Sequence, residues 1–386
     1  MIASPKILTK GMVVNMGKFE DLVFKIPVEN HQWYGFVSPR GFFRGTTMME
    51  KARLYMDFTA VDKALPMEVP HTHHAADEYL VFTGADLTNF FEFDAEVDVW
   101  LGEDAERLEM FHITQPTIIR VPPKLYHCPV NFKRVTKPIV FSAVYLDGDW
   151  SKINRAVGPD GREQFTYDGA GIRRCVFDRS KECVYCGKCF SQKMNDLEDA
   201  KSGSSGDSAP ESPQDDLLAP YYEMAKLPRT GKYDKYVYKF VPETHGDGRF
   251  LSPRAGFRGT DEMPESRLRY MYNIVQKPCE LAGLHMHHAV EEYLWFTGAD
   301  IAKFFDFDAE IEIALGESPE CLESYKITEA TIVRVPPKIW HSVRVTRLGA
   351  PIHFMPFYPS GEYGKIAREN GVYRYDGTDL PGGAAL

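Results

Sequence analysis

The 386 residues contain no run approaching the roughly 20 consecutive apolar residues that cross a bilayer, so no membrane-spanning helix is expected. Basic charge is also scarce. Lys and Arg number 45 against 55 Asp and Glu, a formal net charge of −10, and no segment concentrates the cations. Nucleic-acid backbones are held by clustered Lys and Arg, so this balance argues against a nucleic-acid partner. Cysteine is sparse and uneven, with seven in all and four of them between residues 175 and 189. That excludes a small disulfide-stapled scaffold. The segment Met1 to Gly11 lacks a sustained apolar stretch, so no secretory signal is expected there. The expectation is a soluble cytoplasmic chain with reduced thiols. Helical periodicity is weak, apart from short pieces near Tyr221–Lys226 and Gly364–Glu369. What is present is ordinary for a globular protein: 44% hydrophobic and 26% charged residues, over a length that fits two or three domains.

The chain repeats itself. Gly17-Lys-Phe-Glu-Asp-Leu-Val-Phe-Lys25 recurs as Gly231-Lys-Tyr-Asp-Lys-Tyr-Val-Tyr-Lys239, and Phe36-Val-Ser-Pro-Arg40 as Phe250-Leu-Ser-Pro-Arg254. The offset is 214 throughout, and 34 of the 57 positions from His71 to His127 are identical in the second copy. A period this long indicates two copies of one domain rather than a solenoid. The expected organisation is residues 1–170, an insert at 171–230, and residues 231–386. The insert begins with the Cys cluster. It continues through Asp199 to Asp216 in a Ser-, Gly-, Pro- and acid-rich stretch with little to bury, expected to be a flexible tether. Within each copy the dominant period is two. Phe91-Glu-Phe-Asp-Ala-Glu-Val-Asp-Val99 and Phe305-Asp-Phe-Asp-Ala-Glu-Ile-Glu-Ile313 alternate apolar and acidic residues, as half-buried strands do. Their carboxylates are read as a solvated outer face. Many short strands with Gly and Pro between them argue for an all-β sandwich or barrel.

His71 and His73 are two residues apart, so on a strand both rings face one side, and His285 and His287 repeat this. Straight alternation would add Asp77 and Glu291. However, Glu78 shares a face with Leu80 and Phe82, and Glu292 with Leu294 and Phe296, all core-like residues. Glu78 and Glu292 are therefore taken as interior, with a bend after His74 and His288 resetting the alternation. His127 and His341 each follow a Pro-Pro turn, and His341 alternates in phase with Val343 and Val345, which places it on an inner face. Imidazole and carboxylate converging from one side suit a transition-metal ion.

These residues resemble the motifs of the cupin superfamily, germin-like domains among them. His71-Thr-His73, four residues, Glu78 and then Gly84 fit its first motif, as do His285-Met-His287, Glu292 and Gly298. Pro122-Pro-Lys-Leu-Tyr-His127 with Asn131, and Pro336-Pro-Lys-Ile-Trp-His341, fit the second. Lys124 and Lys338 stand where the family has Gly, and the second copy lacks the Asn. The resemblance covers both repeats, about three quarters of the chain, and not the insert. It implies a bicupin, that is, two double-stranded β-helix (jelly-roll) barrels. It also implies a metal site in each barrel, formed by His71, His73, Glu78 and His127 and by His285, His287, Glu292 and His341. Fe, Mn, Ni, Co or Zn would suit these ligands and leave positions open for substrate, water or dioxygen.

No residue is singled out as catalytic; Arg120, Arg334, Arg44 and Arg258 are candidates for clamping a substrate carboxylate. For Arg120 and Arg334 an outward ion pair is the preferred reading. His74 and His288 are read as structural, His31 and His245 as lesser candidates, and Tyr126 and Trp340 as packing outside. Cys175, Cys183, Cys186 and Cys189 have spacing that suits a structural zinc or an iron–sulfur cluster, with free thiols as the alternative. Cys128, Cys279 and Cys321 are read as packed or solvent thiols. The expected function is a metal-dependent enzyme of dioxygenase, decarboxylase or lyase type. Its substrate would be small and polar or carboxylate-bearing, with a homo-oligomer allowed. The alternative is a non-enzymatic metal or small-molecule sensor that docks through its Cys cluster.

Overall fold

A computed structural model describes residues 17–73, 76–146, 151–157, 163–169, 213–246, 248–361, 363–369 and 371–377. Each repeat builds a barrel of two facing antiparallel sheets. In the first barrel, one sheet runs Val237–Lys239, Thr117–Val121, Glu78–Gly84, Ile139–Tyr145, Tyr55–Val61, Gly41–Arg44. The other runs Glu163–Gly169, Ser151–Val157, His71–Thr72, Tyr126–Val135, Ala95–Asp104, Arg107–Ile113, with Leu65–Met67 also pairing to Tyr126–Val135. The second barrel repeats the plan. Its first sheet is Val23–Lys25, Thr331–Val335, Glu292–Gly298, Ile352–Tyr358, Arg269–Val275, Ala255–Phe257. Its second sheet is Cys321–Ile327, Ala309–Ser318, Trp340–Leu348, Cys279–Met286, Gly364–Glu369, Val372–Gly377. Gly364–Glu369, expected as a helical piece, is thus a strand; its pairing with Cys279–Met286 overrides local propensity. No helix among the described residues is long and apolar enough to cross a membrane.

The first strand of each repeat belongs to the other barrel. Val23, Phe24 and Lys25 pair with Val333, Ile332 and Thr331, while Val237, Tyr238 and Lys239 pair with Ile119, Ile118 and Thr117. The intervals 1–170 and 231–386 are therefore repeats in sequence but not closed barrels in space. The loops after the Glu-bearing strands also meet. Leu87 N–H donates to Ala299 O and Ile301 N–H to Ala85 O, at 2.9 and 2.8 Å.

Side-chain alternation assigns the layers. Leu80 and Phe82 point into the first barrel with Val97, Val99, Val130 and Phe132. Tyr79 and Val81, between them, point out into a third core shared by both barrels. There Trp295 of the second barrel lies edge-on to Phe43 and Phe58 of the first, with ring centroids 6.1 and 5.1 Å apart. Strands covered on both faces lose apolar/polar alternation, which is why Tyr79-Leu-Val-Phe82 reads as a continuous apolar run.

His353 also lies in this shared interior, stacked on Tyr272, and burial pushes its pKa down to about 3. As pH falls below about 6.5, the unfolded chain takes up a proton there that the folded chain refuses until about 3. Stability supplied by this residue is therefore lost as pH falls through that window, by up to ~1.4 kcal/mol per unit. Unfolding free energies measured at several pH values should show a shallower acid loss in His353→Leu than in the native chain. Equal slopes would contradict this assignment.

One acidic position departs from expectation. Asp98 is buried rather than solvated, because the helix Pro213–Ala225 lies over that face. Tyr222 donates its hydroxyl to Asp98 Oδ2 at 2.7 Å and accepts from Asn131 Nδ2 at 2.8 Å, and Trp100 Nε1 donates to Tyr221 O. His112 Nδ1 lies 2.6 Å from the other Asp98 oxygen. The second copy has Ala314 for Trp100 and Glu312 for Asp98, with Arg344 beside Glu312 where Asn131 stands beside Asp98. Among the described residues, only the first barrel carries this docking face. The helix includes Tyr221–Ala225, as the periodicity suggested, and it also takes in residues 213–216 of the expected tether. Residues 171–212, with all four clustered cysteines, lie outside the described residues, as does His74.

Candidate metal centres

The tightest cluster of ligating side chains in each barrel is made by the residues that the spacing pointed to. His285 and His341 face each other as direct cross-strand partners, as do His71 and His127. Ring centroids are 4.0 Å apart in the second barrel and 4.1 Å in the first. His73 and His287 follow just beyond their strands, each fixed by its carbonyl. His73 O accepts from Lys124 N–H at 2.8 Å and His287 O from Lys338 N–H at 2.7 Å. Those lysines hold φ of 70° and 68°, the left-handed conformation that usually belongs to Gly, so the turn keeps its shape without one. At the motif's other Gly, close approach is the constraint: a Cβ on Gly84 would lie 2.5 Å from Glu92 O. Glu78 and Glu292 enter from the facing sheet, buried with the histidines.

Hydrogen bonding fixes the ring tautomers in the second barrel. His285, His287 and His341 each present Nδ1 to a backbone carbonyl, of Gly283, Gly364 and Ile339, at 2.7, 2.6 and 3.2 Å. With Nδ1 donating, each Nε2 carries a lone pair. Glu292 Oε2 lies 3.2 Å from His287 Nε2 and 2.9 Å from His341 Nε2. Nitrogen and oxygen donors at that spacing are close enough to share one cation. The four ligating atoms of His285, His287, Glu292 and His341 all lie within 4.8 Å of one another. In the first barrel His71, His73 and His127 meet the same limit, and Glu78 Oε2 lies 3.0 and 2.8 Å from His73 and His127. His71 presents Nδ1 to Val69 O.

Burial alone would raise the Glu78 and Glu292 carboxyls, but the histidines beside them outweigh it and hold both well below the usual carboxylate range. Burial, reinforced by His341, pushes His285 well below the usual imidazole value. An ionised carboxylate with neutral imidazoles is the form that binds a divalent metal. The donor set therefore fits a divalent transition metal in each barrel.

The surroundings of the two centres differ. Tyr358 donates its hydroxyl to Glu292 Oε1 at 2.6 Å, and Tyr358 and Tyr363 both pack against His287. Arg269 is the cross-strand partner of Tyr358 and lies over Tyr363, 5.5 Å from its ring centre. Its Nη2 donates to Asp261 and to Arg258 O, and its Nε is buried without a partner among the described residues. In the first barrel Tyr145 packs on His73, and Tyr55 stands where the second copy has Arg269. Tyr145, Tyr358, Tyr363 and Arg269 were not among the sequence candidates. Tyr145 and Tyr358 are offset by 213 rather than 214, so a gapless comparison misses the pair.

The nominated arginines go elsewhere. Arg120 Nε donates to Asp77 at 2.9 Å and Arg334 Nε to Glu291 at 2.9 Å, on the outer face between the barrels. The preferred outward ion pair is therefore the arrangement found, and it is buried by the other barrel. Arg44 pairs with Glu29, and Arg258 with Glu243 and Glu262. His31 stacks on Trp33, and His245 lies against Phe250. Neither joins a metal cluster, nor does His288. Trp340 packs under Tyr373 on the outside.

No protein-family model matches the chain, and no curated protein matches it. Solved structures do. A single-residue variant of Bacillus subtilis oxalate decarboxylase superposes with TM-score 0.53 at 12% identity, covering 92% of this chain and 80% of that one. The structure of the same enzyme at pH 4.6 gives 0.52 at 12% identity, with 92% and 79% covered. A third, from work on the Mn(II) centres of that enzyme, gives 0.52 at 12% identity, with 92% and 80% covered. At this identity the likeness bears on the fold.

Proposed function

Because the chain has the bicupin fold, we propose that it is a manganese-dependent decarboxylase acting on a small carboxylic acid, oxalate being the first candidate. The observation that carries the proposal is the second centre, where three oriented imidazoles and Glu292 converge beside Tyr358 and Arg269. Likeness to an enzyme with Mn(II) centres supports the choice of metal, and the mixed N/O ligands are compatible with it.

A bound divalent ion would supply Lewis acidity at an open coordination position. The chain's own residues do the rest. Burial raises the Tyr358 hydroxyl well above its usual value, so it stays protonated and keeps donating to Glu292 Oε1. That leaves Oε2 turned toward the histidines. Tyr363 covers His287 and narrows the access of water. Arg269 offers its guanidinium to a substrate carboxylate, fixing orientation by charge-assisted hydrogen bonds. In oxalate decarboxylation the C–C bond breaks, carbon dioxide leaves, and one proton takes its place to give formate.

The test is elemental analysis of the purified protein together with formate production from oxalate. Arg269→Ala should raise KM for the acid by roughly 10–100-fold, the loss of a charged hydrogen bond worth about 1.5–3 kcal/mol. Metal-loaded protein that turns over neither oxalate nor other small carboxylic acids would overturn the reading.

A further inference from the structure

Two further clusters of buried polar groups lie outside the metal centres, and each is a near copy of the other. In the first, Asp77, Tyr79 and Arg120 form a triad on the outer face of the first barrel. Arg120 Nε lies 2.9 and 3.3 Å from the two Asp77 oxygens, and the Tyr79 hydroxyl donates to Asp77 Oδ2 at 3.0 Å. All three side chains are buried. What buries them is the segment Pro264 to Arg267 of the second repeat. The Tyr79 oxygen accepts from Arg267 N–H at 2.9 Å and bonds Ser266 Oγ at 3.0 Å, and Arg120 Nη1 reaches Pro264 O at 3.5 Å. The second barrel repeats this with Glu291, Tyr293 and Arg334. Arg334 Nε donates to Glu291 Oε1 at 2.9 Å, and Tyr293 donates to the same carboxylate. Across the junction, Arg53 N–H donates to the Tyr293 oxygen at 2.7 Å, and Arg334 Nη1 reaches Glu50 O at 3.5 Å.

The triads sit one residue from the metal ligands. Asp77 and Tyr79 flank Glu78, and Glu291 and Tyr293 flank Glu292. Across the sheet, Tyr79 is registered with Arg120 as Glu78 is with Val121, and Tyr293 with Arg334 as Glu292 is with Val335. The peptide that presents each carboxylate ligand inward is thus clamped from outside on both sides, through bonds that end on the other repeat. A buried carboxylate held by an Arg fork and a Tyr hydroxyl is a stiff anchor.

We infer that each metal centre is positioned by the opposite barrel: Pro264–Arg267 sets the carboxylate ligand of the first centre, and Glu50–Arg53 that of the second. Asp77, Tyr79, Arg120, Glu291, Tyr293 and Arg334 are positioning residues, and docking of the barrels is linked to metal retention. The inference rests on the metal reading of the two clusters.

Single-centre variants give the test. His287→Ala leaves only the first centre able to load, and His73→Ala only the second. Ser266→Ala is introduced into each, the proteins are loaded with Mn(II), and release to a chelator is timed. With the first centre alone, Ser266→Ala should speed release by about tenfold, the usual order for loss of an outer partner of a metal ligand. With the second centre alone, release should be unchanged. Tyr79→Phe, which removes one hydroxyl from the same anchor, should reproduce the pattern, and Tyr293→Phe should reverse it. Equal acceleration at both centres would mean general loosening and would overturn the inference. So would no change at either, with the metal reading intact. A native chain that takes up no Mn(II) at all would overturn both.

Discussion

Replacing His73 and His287 together by alanine should give a folded chain that holds no divalent metal and has no measurable turnover, while each single variant keeps one ion. The two clusters share no residue and lie in separate barrels, so losses should be independent in stoichiometry. Removing His287 deletes one of four converging donors and leaves Glu292 with His285 and His341. A loss of affinity of about a thousandfold, roughly 4 kcal/mol, is expected at each altered centre. Metal content per chain, read by elemental analysis after dialysis, checks the count. Circular dichroism checks the fold. If the double variant retained two ions per chain, the assignment of the clusters would fail. If it lost the ions yet turned over substrate at the native rate, the catalytic reading would fail alone.

The largest effect on stability should come from Trp295→Ala. The indole is fully buried where the barrels meet, lying against Phe43 and Phe58. Truncating such a side chain leaves a cavity that neighbouring strands cannot close, at a cost of about 3–5 kcal/mol. At roughly 2–4 °C per kcal/mol for a protein of a few hundred residues, the melting temperature should fall by ~10 °C. Trp295→Phe should cost less, since Nε1 has no partner among the described residues and its removal relieves a buried, unpaired donor. Tyr373→Ala is the control. That ring is about half exposed, and its loss should cost about 1 kcal/mol, well under the Trp295→Ala figure. Equal shifts for Trp295→Ala and Tyr373→Ala would show that the shared core carries no special weight.

The candidate ligands were legible because duplication presented the same four residue types twice at one spacing. The inward placement of Glu78 was legible too, because Leu80 and Phe82 could only be core and drew Glu78 inward with them. The residues beside the centres were not. Arg269 has no counterpart to flag it, since Tyr55 occupies that place in the first copy, and Tyr358 is hidden by a one-residue deletion. Arg120 was a candidate clamp for substrate, with an outward ion pair the preferred reading, and the ion pair is what forms. The strand position of Arg120 turns it to the other face, and only the packing of one barrel on the other explains its burial. Asp98 failed for a similar reason. Alternation identifies an outer face but cannot say what lies over it, and Tyr222 comes from an insert with little periodicity of its own.

The exchange of Val23–Lys25 and Val237–Lys239 has a consequence for ancestry and for engineering. A half-length chain ending near residue 170 would carry a strand made for a neighbour and lack the one made for itself. It could complete its sheet only by trading strands with a second copy, as an obligate twofold dimer. The full chain makes the same exchange within one polypeptide. Cutting it within residues 171–212 should therefore release two halves that stay together, whereas either half expressed alone should seek a twin.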